Sequence, residues 1–229
     1  MTKGKKQEEV LISPYTAVRL FAKTYLNVGG VLLSDRRYKV TREAWIASMF
    51  LIALQDKFGM EWWFTPVRDD GSPDFNCYSF VEGEIGNSKE LLKLEVFEWR
   101  KEVEEEDIVE AVKKIKLNKI VDPNITLLCY VRRNVVIPPA TILKDKFANL
   151  NPKVKDIWYI GDVTPDSKEW RITQVFPNIV AIDLDYDKVL GTKEERSFIT
   201  SSFGKTEGDK FKPTGKEVLL TPEFDIEVQ

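Results

Sequence analysis

Residues 71–100 read GSPDFNCYSFVEGEIGNSKELLKLEVFEWR. Polar and apolar residues alternate from Asp74 to Val81, and Leu91 to Arg100 is a second extended run. Glu82-Gly83-Glu84 and Gly86-Asn87 supply the turn between them. A period of two is the pattern of a β-strand, because successive side chains point to opposite faces. Just upstream, Trp62 to Val67 is aromatic and β-branched, and Arg68-Asp69-Asp70-Gly71 turns the chain toward Asp74. The three segments predict a three-strand meander.

Outward from the meander the period changes. Apolar residues recur at helical spacing from Pro14 to Leu26. A second helix is expected from Thr41, a suitable N-cap, to Gly59, a suitable C-terminal glycine; apolar residues cover so much of its circumference that it should be largely buried. Glu102 to Asn118 predicts a helix with acids in its first turn and Lys113, Lys114 and Lys116 in its last, as the helix dipole favours. Ile125 to Val131 is a near-continuous apolar run, expected of a central strand covered on both faces. Pro139 to Leu150 reads as a helix, Asp156 to Ile160 as a strand, and Ile172 to Leu184 as one or two more. The order predicts an α/β fold: a mixed sheet with a three-strand meander flanked by helices. Residues 1–190 form a single α/β domain in this reading, opened by a loose tail over 1–9. Residues 191–229, rich in Gly, Lys, Thr and Ser, form an irregular or partly mobile extension.

The composition excludes whole classes of chemistry. There is no histidine among 229 residues, which removes Ser-His-Asp and Cys-His nucleophiles and His-ligated metal sites. Two cysteines, Cys77 and Cys129, are too few for a four-ligand zinc site or a disulfide framework, and both sit in apolar runs. Buried free thiols imply a reducing, cytoplasmic setting. The net charge of −3 argues against a strongly basic nucleic-acid sleeve, so a nucleic-acid site must be a local patch. No apolar run is long enough to span a membrane, and Met1 to Glu9 lacks the apolar core of a signal peptide. Glycine-rich phosphate loops are absent. What remains is carboxylate, lysine and hydroxyl chemistry with a hard metal ion.

The meander holds a candidate for that chemistry. Asp74 opens one strand and Glu95 lies within the next. Alternation puts Lys93, Glu95, Phe97 and Trp99 on one face of the last strand. If the register pairs the right faces, two carboxylates meet across neighbouring strands. Like charges so close repel unless a cation lies between them. Mg²⁺, or Mn²⁺ in its place, fits: it takes one or two protein carboxylates and fills its octahedron with water and phosphate oxygens.

This arrangement resembles the PD-(D/E)xK nuclease superfamily, restriction-endonuclease-like in fold, over roughly residues 41–160. The resemblance implies a metal-dependent hydrolase of DNA phosphodiesters in which Asp74 and Glu95 bind the metal. It also implies that Glu43, near the start of the long helix, is an auxiliary acid. The sequence departs from the pattern at one position: the family's lysine belongs two residues after Glu95, where Phe97 stands. Lys93 can substitute from the other side of Glu95. A shifted triplet Glu98-Trp99-Arg100 offers arginine instead, a poor base. Glu98 can also join Glu95 at the metal. The remaining reading is a catalytically inactive nuclease-like fold, a DNA- or protein-binding subunit of a larger complex. Pro-Asp after Gly-Ser is also ordinary turn chemistry.

Three weaker patterns lie elsewhere in the chain. Asp183, Asp185, Asp187 and Glu194 have calcium-loop offsets, but Lys188 stands where the loop needs glycine. Lys113, Lys114, Lys116, Lys119, Arg132, Arg133, Lys144, Lys146, Lys153 and Lys155 are candidates for phosphate contact. Trp62-Trp63-Phe64 could stack on bases, although such a cluster usually belongs to a core.

Overall fold

A computed structural model of the chain describes residues 9–67, 71–81, 88–164, 166–191, 197–200, 205–207, 210–212, 216–217, 219–224 and 226–227. In chain order the elements begin with β1 (Glu9–Ile12), α1 (Pro14–Val28), α2 (Val31–Ser34) and α3 (Lys39–Phe58). The meander follows as β2 (Trp62–Pro66), β3 (Phe75–Val81) and β4 (Ser88–Arg100). Next come α4 (Ile108–Val112), β5 (Ile125–Arg132), α5 (Ala140–Leu150), β6 (Asp156–Asp162), β7 (Glu169–Phe176), β8 (Val180–Asp185) and α6 (Tyr186–Gly191). Short strands β9 (Ser197–Thr200), β10 (Lys205–Glu207), β11 (Lys210–Lys212) and β12 (Lys216–Glu217) lie beyond, before a last small pair at Leu219–Leu220 and Ile226–Glu227.

The chain is α/β with a mixed sheet flanked by helices, and β2, β3 and β4 are successive neighbours, as the meander requires. It sorts into two compact units. The first comprises Met1–Pro66, Cys77–Leu91 and Leu190–Gln229, and the second Val67–Asn76 and Leu92–Val189. The sequence reading placed one domain over 1–190 with an irregular extension over 191–229. In the structure β9 pairs antiparallel with β1, Glu9 opposite Thr200 and Ile12 opposite Ser197, and β12 pairs with β9. A strand edge selects its partner by backbone hydrogen bonds, which leave little trace in hydropathy. Glu9, expected in the loose tail, is thus in a strand, and residues 1–8 lie outside the described residues.

In the first unit α1 packs on α3, with the rings of Phe21 and Trp45 stacked at 4.0 Å. Every residue from Thr41 to Leu54 is buried, as the all-round apolar pattern predicts. Gly59 ends α3 at φ 74°, in the left-handed region that glycine enters without penalty, and its N–H reaches the Gln55 carbonyl. The helix begins two residues before Thr41, and the Thr41 hydroxyl donates instead to the Pro222 carbonyl at 2.7 Å. Trp62, Trp63 and Phe64 are buried, so they belong to the core and form no base-stacking platform.

The second unit carries the strand order β4-β5-β6-β7-β8. The first three are parallel, while β7 and β8 run antiparallel to their neighbours. The apolar run at 125–131 is the parallel strand β5, between β4 and β6. Phe97 and Trp99 of β4, Leu127 and Cys129 of β5, and Ile157 and Tyr159 of β6 form one core with Val109 and Val112 of α4 and Leu143 and Phe147 of α5. The expected helix over Glu102–Asn118 is shorter at both ends. It starts at Ile108, where the Asp107 carboxylate caps the Val109 and Glu110 N–H groups. It then widens into a π-turn over Lys113–Leu117. Both cysteines are buried free thiols, and burial pushes each well above the usual thiol range.

Candidate functional site

Asp74 lies just before β3, in the second unit. Its carbonyl accepts from the Val67 N–H at 2.8 Å, and its carboxylate Oδ2 accepts from the Val96 N–H at 2.7 Å. That N–H belongs to the peptide joining Glu95 to Val96. The fold therefore anchors the Asp74 carboxylate one peptide bond from Glu95, on the neighbouring strand.

Glu95 sits mid-strand and is only 6% exposed. Its Oε1 is ion-paired with the Lys116 ammonium. Its Oε2 is buried and finds no hydrogen-bond partner among the described residues. A buried carboxylate oxygen normally accepts a hydrogen bond or ligates a cation, since desolvation is otherwise uncompensated.

The position two residues after Glu95 is closed to a lysine by packing. Phe97 lies opposite Cys129 in the β4–β5 register and belongs to the apolar core beneath α4. An ammonium there would be stripped of water without a partner. Lys93 shares the Glu95 face, but its ammonium is on Asp122 at 2.6 Å. That hydrogen bond holds the Asp122 carboxyl below the usual carboxylate range.

In the sequence Lys116 is one of several helix-end lysines and one of ten candidates for phosphate contact. The π-turn that presents it is closed by the Asn118 N–H on the Lys113 carbonyl at 3.1 Å, one residue beyond α-helical spacing. A signal was present in the sequence: Ile108, Val112 and Lys116 recur every four residues, which puts the lysine on the face that packs against the sheet. Of its neighbours in the turn, Lys113 pairs with Glu110 and Lys114 with Glu105, and on α5 Lys146 pairs with Asp107.

Glu43 lies in the first unit, on α3, buried and paired with Lys39 at 3.4 Å. Glu98, on the other face of β4, pairs with Arg100 at 3.8 Å. The Asp183, Asp185 and Asp187 carboxylates serve separate partners: the Arg171 guanidinium, the Lys188 N–H and the Lys168 ammonium. Glu194 lies outside the described residues. Among the described residues no three acids or cysteines gather around one point, so the Asp74–Glu95 pair is the candidate that remains.

Asp156 is a second buried carboxyl, at the start of β6. Burial pushes it above the usual range, and its Oδ1 has no hydrogen-bond partner among the described residues. A raised folded-state value means that the folded chain holds this proton after the unfolded chain has lost it. Stability therefore falls as pH rises from about 4. Asp156→Asn removes that slope: its stability relative to wild type should increase from pH 4 to pH 7, measured as the difference in urea midpoints.

Fold and site together define an α/β protein with a mixed sheet and a buried carboxylate–lysine pair at its edge of chemistry. No protein-family model, curated protein or solved structure matches the chain. No helix among the described residues is long and apolar enough to cross a membrane.

Proposed function

We propose that this chain is a Mg²⁺- or Mn²⁺-dependent nuclease that hydrolyses DNA phosphodiesters at Asp74 and Glu95. The observation that carries the reading is the buried, unpartnered Oε2 of Glu95, one peptide bond from the carboxylate of Asp74. Two carboxylates suit a hard cation that completes its shell with water and phosphate oxygens. Such an ion, when bound, polarises a phosphodiester and lowers the pKa of its water.

The protein's own groups have definite tasks in this reading. The Val96 N–H orients Asp74. Lys116 fixes the rotamer of Glu95 and brings positive charge beside the place where a phosphate would lie. An ammonium has three N–H donors, and one on Glu95 leaves others for a water or a phosphate oxygen. Lys116 thereby meets the need that Phe97 leaves open, and Lys93 with Asp122 flanks it two positions back along β4.

One observation favours a second reading, an inactive nuclease-like binding subunit. Lys116 already neutralises Glu95, and a buried ion pair of that kind also occurs as pure structure. Supercoiled plasmid with Mg²⁺ or Mn²⁺ separates the two. Wild type should nick it, and Asp74→Asn should do so at least ~100-fold more slowly, a loss of about 2.7 kcal/mol in transition-state stabilisation. Equal nicking by both proteins would reject the site. DNA retained by wild type without cleavage would select the binding subunit.

A further inference from the structure

Independent of the nuclease reading, the second unit holds a cleft of about 540 Å³, within the size range of small-molecule sites. It lies where the parallel strands β5 and β6 end. Ile137, beyond the end of β5, and Gly161, near the end of β6, both line it, together with Leu143 of α5. The carboxyl ends of parallel strands are where open α/β sheets hold ligands, because the connections leave a crevice there.

The lining decides what fits. Val131, Ile137, Leu143, Val175 and Ile179 are aliphatic. The charged side chains are engaged within the chain. Arg171 pairs with Asp183 at 2.7 Å, Arg133 donates to the Val103 and Glu105 carbonyls at 3.2 and 3.0 Å, and Asp162 accepts from the Ser167 hydroxyl at 3.0 Å. An ionic ligand would lose its water without gaining a free counter-ion.

Tyr159 differs from these groups. It lines the cleft and is 5% exposed, and its buried hydroxyl has no hydrogen-bond partner among the described residues. A buried phenol left unbonded is a standing cost, which an acceptor in the cleft removes. Burial holds the phenol well above its usual pKa, so it stays a donor. Two residues along, Gly161 leaves room. A Cβ there would meet only Val131, at an ordinary 3.6 Å, so packing does not demand the glycine.

From the buried, unpartnered hydroxyl in an aliphatic cleft, we infer a binding site for a small uncharged carbonyl compound, apolar over most of its surface. The apolar body fills the cleft, and the carbonyl oxygen accepts from the Tyr159 hydroxyl and fixes the orientation.

The test uses the full chain with Ile, Leu and Val methyls labelled for NMR. It is titrated with benzophenone and with diphenylmethane, the same two rings with and without a carbonyl. Saturable shifts should centre on Val131, Ile137, Leu143 and Ile179, and benzophenone should bind about 10-fold more tightly. Tyr159→Phe should erase that preference and leave diphenylmethane binding unchanged. Gly161→Leu, which places a side chain in the cleft, should weaken both compounds at least ~10-fold. No saturable shift with either compound, or shifts centred on other methyls, would overturn the inference. So would equal affinity of wild type for the two, which would assign the hydroxyl to a bound water instead. A preference for benzophenone that survives Tyr159→Phe would overturn it as well, since another donor would then hold the carbonyl.

Discussion

Lys116→Met should destabilise the fold by about 3–5 kcal/mol, because it leaves a carboxylate buried without its counter-charge. Glu95 is the more enclosed partner: its side chain is 8% exposed and that of Lys116 is 20%. The penalties are therefore unequal. Glu95→Gln strands an ammonium that can turn toward water on its long stem, and should cost about 1–3 kcal/mol. The double variant Lys116→Met, Glu95→Leu should recover most of the loss, as apolar replacements of buried ion pairs often do. Urea unfolding at neutral pH measures all three, and a Lys116→Met effect below about 1 kcal/mol would show that the pair is solvated and worth little. Mg²⁺ should restore part of the stability lost in Lys116→Met, because Glu95 then has a replacement cation. An identical response to Mg²⁺ in wild type and variant would mean that the ion and Lys116 do not share Glu95.

The second large effect is expected at Phe147. This side chain is fully buried, with its ring 6.2 Å from that of Tyr159 on β6 and inclined to it by 59°. Helix α5 fully buries only two side chains, Leu143 and Phe147. Phe147→Ala thus removes one of the helix's two fully buried anchors and opens a cavity in the core that Cys129, Ile157 and Tyr159 share. The loss should be about 3–5 kcal/mol. Hydrogen exchange should place it, with α5 amides losing protection before those of β5. A smaller loss with α5 protection unchanged would mean that the core collapses around the gap.

Much of the architecture was legible because it rests on local rules. Alternation marked β3 and β4. A near-continuous apolar run marked β5 as a central, covered strand. Gly59 marked the end of α3. The first unit's sheet was less legible, since β1 and β9 find each other across nearly the whole chain, and short edge strands carry no strong hydrophobic pattern. The candidate site was legible in part. Asp74 and Glu95 stood out by residue type and strand position. The recurrence of Ile108, Val112 and Lys116 turns the lysine toward the sheet, but its pairing with Glu95, 21 residues earlier, is made by a π-turn that the spacing does not encode.

By itself the sequence determined the chemical vocabulary: no imidazole, two buried thiols, and acids and lysines in a strand-rich stretch. It also determined the α/β class, because hydrophobic period is a property of neighbouring residues. Only the tertiary structure decided which cation reaches Glu95. Lys93 and Lys116 are equally charged, but the loop before β5 places Asp122 within reach of Lys93 and the π-turn brings Lys116 to Glu95. Coulombic and hydrogen-bonding partners are set by distances of a few ångströms in the folded chain, and spacing along the sequence does not encode them.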